Sequence, residues 1–147
     1  MRSRRLAPAL LLDTCAVIWL QNADRMTKSA VEAIFHAGQA DGVFISSISA
    51  WEIGLISRPS ARHSPALQFL PDAKTWFQKT MAAPGVKTAP FTPEIAIDAS
   101  FLPGELHGDP ADRMIIATAR HLGVPVVTRD RRILDYGRSG NVAVIPC

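Results

Sequence analysis

Short apolar runs alternate with stretches whose apolar positions recur at helical spacing, and this alternation organises the chain. Ala9 to Leu12 is continuously apolar and stops at Asp13-Thr14, as expected of a buried strand followed by a helix over Cys15 to Gln21 with Thr14 as its cap. Thr27 to Ala37 has a cap residue and helical periodicity, with Ala30, Val31, Ile34 and Phe35 expected on one inward face. Asp41-Gly42 makes a turn into a second buried strand, Val43 to Ile45. Ser49 opens a helix through Trp51, Ile53, Leu55 and Ile56 that Pro59 stops, and Arg58 to Pro65 reads as a loop.

The second half repeats the alternation. A helix is expected over Pro71 to Ala83, with Trp76, Phe77 and Met81 as its apolar members, then a strand over Val86 to Pro90. Thr92-Pro93-Glu94 starts a helix that ends by Pro103-Gly104. Leu106 to Asp109 is loop. Pro110 to Leu122 is a strong helix with Ile115, Ile116 and Ala119 inward and Gly123 closing it. Val124 to Val127 is a strand, Ile133-Leu134 marks a short helix, and Val142 to Ile145 is the last strand. Strands alternating with helices predict an α/β fold, a central mostly parallel sheet flanked by helices.

A chain of 147 residues suits one domain and can bury roughly 70% of the surface its unfolded form exposes. Residues 9 to 147 are expected to form it, behind a basic extension over residues 1 to 8. That extension, with the apolar run after it, imitates a secretory signal. The run is short, Asp13 interrupts it and no small-x-small site follows, so no signal peptide or membrane span is predicted. Net charge is +3, compatible with a polyanionic partner without requiring one. The cysteines, Cys15 and Cys147, show no zinc spacing and no disulfide framework, which predicts reduced thiols in a cytoplasmic protein.

In parallel α/β sheets, ligands sit outside the carboxyl ends of the strands. That rule directs attention to Asp13 after the first strand, Glu52 on the helix after the second, Asp112 in the first turn of the long helix, and Asp130 after the penultimate strand, with Asp109 as a fifth acid. Each has a purely structural reading. Asp13 and Asp130 suit turns or caps, Ser49-x-x-Glu52 matches a capping box, Asp109 before Pro110 suits a cap, and Asp112 suits the positive end of a helix dipole. Jointly they would repel one another at one sheet edge, which raises carboxylate pKa values or demands a cation. Mg²⁺ or Mn²⁺ would satisfy oxygen ligands of this kind, and one such ion, or two, can activate water against a phosphodiester. The four histidines (His36, His63, His107 and His121) are scattered, and there is no Gly-rich phosphate loop and no GxSxG elbow.

The pieces Leu-Leu-Leu-Asp13-Thr14, Ser46-Ser-Ile-Ser-Ala-Trp51-Glu52-Ile, His107-Gly-Asp-Pro-Ala-Asp112-Arg113-Met and Val127-Thr128-Arg129-Asp130 resemble, in order and spacing, the PIN-domain family and its VapC-type toxins of VapBC toxin–antitoxin pairs. The resemblance runs over residues 9 to 146. It implies a metal-dependent endoribonuclease in which Asp13, Glu52, Asp112 and Asp130 hold Mg²⁺ or Mn²⁺. Asp13 and Asp112 would be the most direct ligands, and Thr14, Thr128, Asp109 and Arg113 would support the site. Arg113 would touch phosphate or balance the acids. Ala111 departs from the bulky residue usual between Pro and the second Asp of that motif, a packing difference.

The resemblance also implies an RNA substrate (tRNA or rRNA), a VapB-like antitoxin and a homodimer. Trp19, Leu20 and the helix with Trp76 and Phe77 are the apolar residues expected at the dimer interface. Arg129 to Arg132 and Arg58 to His63 are candidates for the RNA backbone, with a solvated face as the alternative. Other readings stay open: a phosphatase with Asp13 as nucleophile (Cys15 standing where a second Asp is usual), a non-catalytic binding module, and a DNA-directed nuclease of the same fold.

Overall fold

The computed structural model describes residues 6–58, 68–106 and 108–147. The basic residues Arg2, Arg4 and Arg5, the segment with Arg62 and His63, and His107 lie outside the described residues.

Among the described residues, five strands and seven helices follow one another in the expected order. The strands are β1 (Ala9–Leu12), β2 (Gly42–Ser46), β3 (Val86–Ala89), β4 (Val126–Thr128) and β5 (Val144–Pro146). The helices are α1 (Thr14–Gln21), α2 (Lys28–Gln39), α3 (Ser47–Ser57), α4 (Ala73–Met81), α5 (Pro93–Ser100), α6 (Pro110–Leu122) and α7 (Arg131–Arg138). The sheet order is β3-β2-β1-β4-β5, and every pairing is parallel. β1 is central, in register with β2 from Ala9 opposite Gly42 to Leu12 opposite Ile45, and with β4 at Leu11–Val126 and Leu12–Val127. The strand order reverses between β1 and β4. In doubly wound sheets that reversal opens a crevice at the carboxyl ends.

Side chains alternate across the sheet. Leu10, Leu12, Val43, Ile45 and Val127 join α1 to α4 in one core, and Leu11 and Val126 join Ile115, Ile116 and Ala119 of α6 and Ile133 and Tyr136 of α7 in the other. A run apolar at every position is what two covered faces require. At Gly85 (φ 80°) a Cβ would stand 2.2 Å from the Gly38 carbonyl oxygen, so only glycine lets the turn into β3 pack against α2.

Several boundaries and faces differ from expectation. Asp13, not Thr14, caps α1, and the helix begins at Thr14. Ser46 caps α3, so the helix starts two residues before Ser49 and the capping-box reading of Ser49 and Glu52 fails. The buried stripe of α2 is Ala30, Ala33, Ile34 and Ala37; Val31 and Phe35 face outward, because alanines allow close approach to the sheet. Trp76 is a core residue, edge-on to Phe69 at 4.8 Å, and Phe77 packs on the same core, so they are not a free interface. His36 and His121 sit exposed on α2 and α6. Among the described residues, no helix is long and apolar enough to cross a membrane.

Candidate metal centre

Asp13 is delivered by the end of β1 and is almost fully buried, 4% exposed. Its backbone N–H donates to the Val127 carbonyl (3.1 Å), and its carboxylate Oδ1 accepts the Ala16 N–H (2.8 Å) at the start of α1. Burial pushes its pKa up to about 6, with Asp112 and Asp130 pushing the same way. Hydrogen bonds from Thr128 and the Ala16 N–H pull it down. The structural reading and the chemical one therefore hold together. One carboxylate oxygen caps the helix, and the group is still a buried anion facing other anions.

Asp130 and Asp109 repeat the capping role, but both are exposed. Asp130 follows β4 and caps α7, with Oδ1 accepting from the Arg132 N–H (2.8 Å) and the Ile133 N–H (3.3 Å). Thr128, fully buried at the end of β4, accepts the Asp130 N–H on Oγ1 (3.0 Å). Asp109 caps α6 by accepting the Asp112 N–H (3.0 Å), which sets Asp112 in the first helical turn.

Glu52 is placed differently. It projects from α3, half-buried, and its Oε1 lies 2.5 Å from the Thr14 hydroxyl, which also meets the Ser49 hydroxyl at 3.0 Å. A hydroxyl has one proton, so toward an ionised Glu52 the Thr14 proton goes to the carboxylate. Burial raises the Glu52 pKa, opposed by Thr14, with Asp112 and Asp109 adding to the rise. Ser49, fully buried, is a partner that sequence reasoning missed. Its spacing of three before Glu52 was the visible signal, and it pointed to a cap instead.

Cys15 follows Asp13 and Thr14 in the first turn of α1. Its thiol is pushed up to about 11 by burial first, and then by Asp13, Glu52, Asp112 and Asp130 together. Asp13 and Asp130 stand just past the carboxyl ends of β1 and β4, Glu52 lies on the helix after β2, and Asp112 lies in the first turn of α6. Arg113 directs Nε to the Ala99 carbonyl (2.9 Å) and Nη1 to the Leu106 carbonyl (3.2 Å), so two of its donors hold the connection that leads into α6.

Among the described residues, no three Asp, Glu, His or Cys side chains form a finished metal cage. The donor set nevertheless fits a hard cation: carboxylate oxygens, one of them with its ionisation suppressed first by burial and then by Asp112 and Asp130. Mg²⁺ retains several waters and takes only one or two carboxylates in such sites, so a closed cage is not what this chemistry requires.

Residues 10–139 match the family model described as PIN domain. The chain belongs to the PIN-domain family. It is 33% identical over 136 residues to ribonuclease VapC22 of Mycobacterium tuberculosis, an alignment covering 92% of this chain and 97% of that protein. Two solved structures share the PIN fold. One is VapBC2 from Rickettsia felis bound to a DNA fragment from its promoter, with TM-score 0.65, 14% identity and coverage of 94% of this chain and 98% of the other. The second is DNA-bound VapBC from Salmonella typhimurium, with TM-score 0.63, 19% identity and coverage of 94% and 97%. At these identities the two likenesses concern the fold. This PIN domain keeps the order acid-after-β1, acid-on-α3, acid-opening-α6, acid-after-β4 on which the sequence resemblance rested.

Proposed function

We propose that this PIN domain is a Mg²⁺- or Mn²⁺-dependent endoribonuclease, the toxin of a VapBC-type pair. The observation that carries the reading is the placement of Asp13 after β1, Glu52 on the helix after β2, Asp112 in the first turn of α6 and Asp130 after β4, in a sheet whose order reverses between β1 and β4. It occurs in a chain one-third identical to a ribonuclease along nearly its whole length.

In this reading Asp13 and Asp112 are the direct metal ligands, Asp130 binds directly or through water, and Glu52 completes the charge. A bound divalent ion would make water nucleophilic near neutral pH and offset charge on the phosphodiester. The chain's own groups set the geometry. The α1 and α7 caps fix one oxygen each of Asp13 and Asp130, Thr128 donates to Asp13, and Thr14 aims the Glu52 carboxylate. Glu52, as a carboxylate held by one hydroxyl, is placed to accept a proton from attacking water. The substrate is a structured RNA such as tRNA or rRNA, read through an unstacked segment.

Two apolar faces suit the two protein partners. Leu20, Ile34, Phe35, Val43, Ile45 and Val86 line a groove of about 430 Å³ that fits an antitoxin segment. Trp51 and Leu55 of α3, Ile97 of α5 and Phe101 just after it are exposed, on or beside helices that pack against α6, and suit a second copy of the chain. Phe101→Glu should then give a monomer by light scattering, whereas Phe35→Glu should stay dimeric and bind antitoxin more weakly. The reverse pattern would exchange the two assignments.

The test is cleavage of total RNA by antitoxin-free protein, with Mg²⁺ or Mn²⁺, with chelator, and beside Asp112→Asn. Discrete cuts are expected with metal, none with chelator. Asp112→Asn should be slower by about 100-fold or more, the scale on which losing one group that stabilises transition-state charge acts. Cutting that survives both treatments would refute this reading. Equal cutting of matched DNA would move the assignment to a nuclease of broader substrate.

A further inference from the structure

Arg129 stands between Thr128 and Asp130, in a cationic run that invites assignment to the RNA backbone. The structure commits its side chain elsewhere. The guanidinium carbon lies 3.7 Å from the centroid of the Trp19 ring, on α1. Nε donates to the backbone oxygen of Cys147 at 2.9 Å, and Nη2 donates to the carbonyl of Arg25 at 2.7 Å. One side chain thus joins three segments: α1, the α1–α2 connection, and the residue after β5. The backbone closes the same junction, because the Cys147 N–H donates to the Thr128 carbonyl (3.1 Å) and the Asp13 N–H to the Val127 carbonyl (3.1 Å).

We infer that Arg129 is a positioning residue: it clamps α1 and the end of β5 onto the β4–α7 turn, and so holds Thr128 and Asp130 against Asp13, rather than binding RNA phosphate. Only a planar guanidinium can stack its face on an indole while its edge serves two backbone oxygens; a lysine offers a single point charge. The turn it braces is short. Thr128 Oγ1 takes the Asp130 N–H, the Thr128 side chain also bonds Asp13, and Asp130 caps α7, so a displacement of residue 129 moves all three site groups. Sites of this kind depend on their supporting residues to hold geometry within about 0.5 Å.

The kinetic half of this inference rests on the ribonuclease reading; the clamp itself does not. Arg129→Met and Arg129→Lys in the full chain are compared by amide hydrogen exchange, single-turnover RNA cleavage, and the salt dependence of RNA binding. In both variants the Cys147 and Asp130 amides should exchange about tenfold faster, and cleavage should slow about tenfold, the lower end of the range for supporting residues around a metal site. RNA affinity and its salt slope should match the parent, and Lys should not rescue cleavage although it keeps the charge. The inference is overturned if exchange is unchanged. It is equally overturned if the salt slope becomes shallower by about 0.7 in Arg129→Met, the loss of one phosphate contact on a single strand, and Lys restores it. Should the parent protein cut no RNA, the ribonuclease reading fails at the parent, and the exchange measurement alone decides the clamp.

Discussion

Leu11 and Asp13 are two residues apart on one strand end, and the fold treats them in opposite ways. Leu11 is wholly buried between apolar neighbours from α6, α7 and β4, where burial is favourable in proportion to the area removed from water. Asp13 is buried almost as deeply, among groups that hydrogen-bond it and groups that repel it. The contrast extends beyond this pair. Of the seven buried polar residues among those described, Thr80 and Thr118 bond back to carbonyls of their own helices, Trp76 and Met114. The other five, Asp13, Thr14, Ser46, Ser49 and Thr128, lie at the carboxyl ends of β1, β2 and β4 or on the helices that follow. The strand interiors bury apolar surface, and the strand ends carry buried polar groups, one of which, Asp13, burial pushes toward its protonated form.

The bluntest way to test that division is to damage each side. Leu11→Ala should destabilise the protein by about 2–5 kcal/mol, transfer loss plus cavity, equally with and without divalent metal. Denaturant unfolding with and without Mn²⁺ measures it. A loss below about 1 kcal/mol would mean that the strand interior is not the stabilising region.

Asp13→Asn should act in the opposite direction. The folded pKa of about 6 lies above the ordinary 3.8, so protonation favours the fold. The stability this group contributes is complete below about pH 4 and is lost as pH rises through about 6. The gap corresponds to about 3 kcal/mol. Metal-free Asp13→Asn should therefore match the parent near pH 4 and exceed it by up to about 3 kcal/mol at pH 8, since Asn can still accept the Ala16 N–H while carrying no charge. Adding Mn²⁺ should stabilise the parent and not the variant. A parent protein as stable at pH 8 as Asp13→Asn, without metal, would remove the idea that burying this carboxylate is unfavourable.

How much of this was legible in the sequence follows from the same contrast. The strand interiors read directly, because Leu10 to Leu12 and Val43 to Ile45 are covered on both faces and so apolar at every position. Asp13, Asp112 and Asp130 were visible because they stand at helix starts that the chain announces with apolar runs and prolines. The sheet order was not legible, since pairing β1 with β4 joins residues more than a hundred positions apart. Phe35 was misplaced because helical spacing gives a face but not how close the face comes to the sheet, and the alanines of α2 decided that. Arg129 looked like any surface cation, because nothing local shows that Trp19 and the Cys147 backbone oxygen will meet it. Its fate follows from the sheet order, with β5 beside β4.

The smallest effect discriminates best at α3, where Ser46, Ser47 and Ser49 offer three starting points. Ser46 ends β2 and caps the helix by accepting the Ile48 N–H at 3.0 Å. Ser49 has no such duty and instead meets Thr14, which holds Glu52. Ser46→Ala should then cost about 1 kcal/mol of stability, the usual loss of a cap. Ser49→Ala should leave the helix start intact and act on cleavage, by loosening Thr14 and with it the Glu52 carboxylate. Thermal unfolding and single-turnover cleavage on the two variants separate these roles. If Ser49→Ala carries the stability loss and Ser46→Ala does not, the helix starts at Ser49 and Glu52 returns to a capping box. Glu52 would then be pulled toward its own helix end, away from Thr14, and the acidic set at the switch point would have three members.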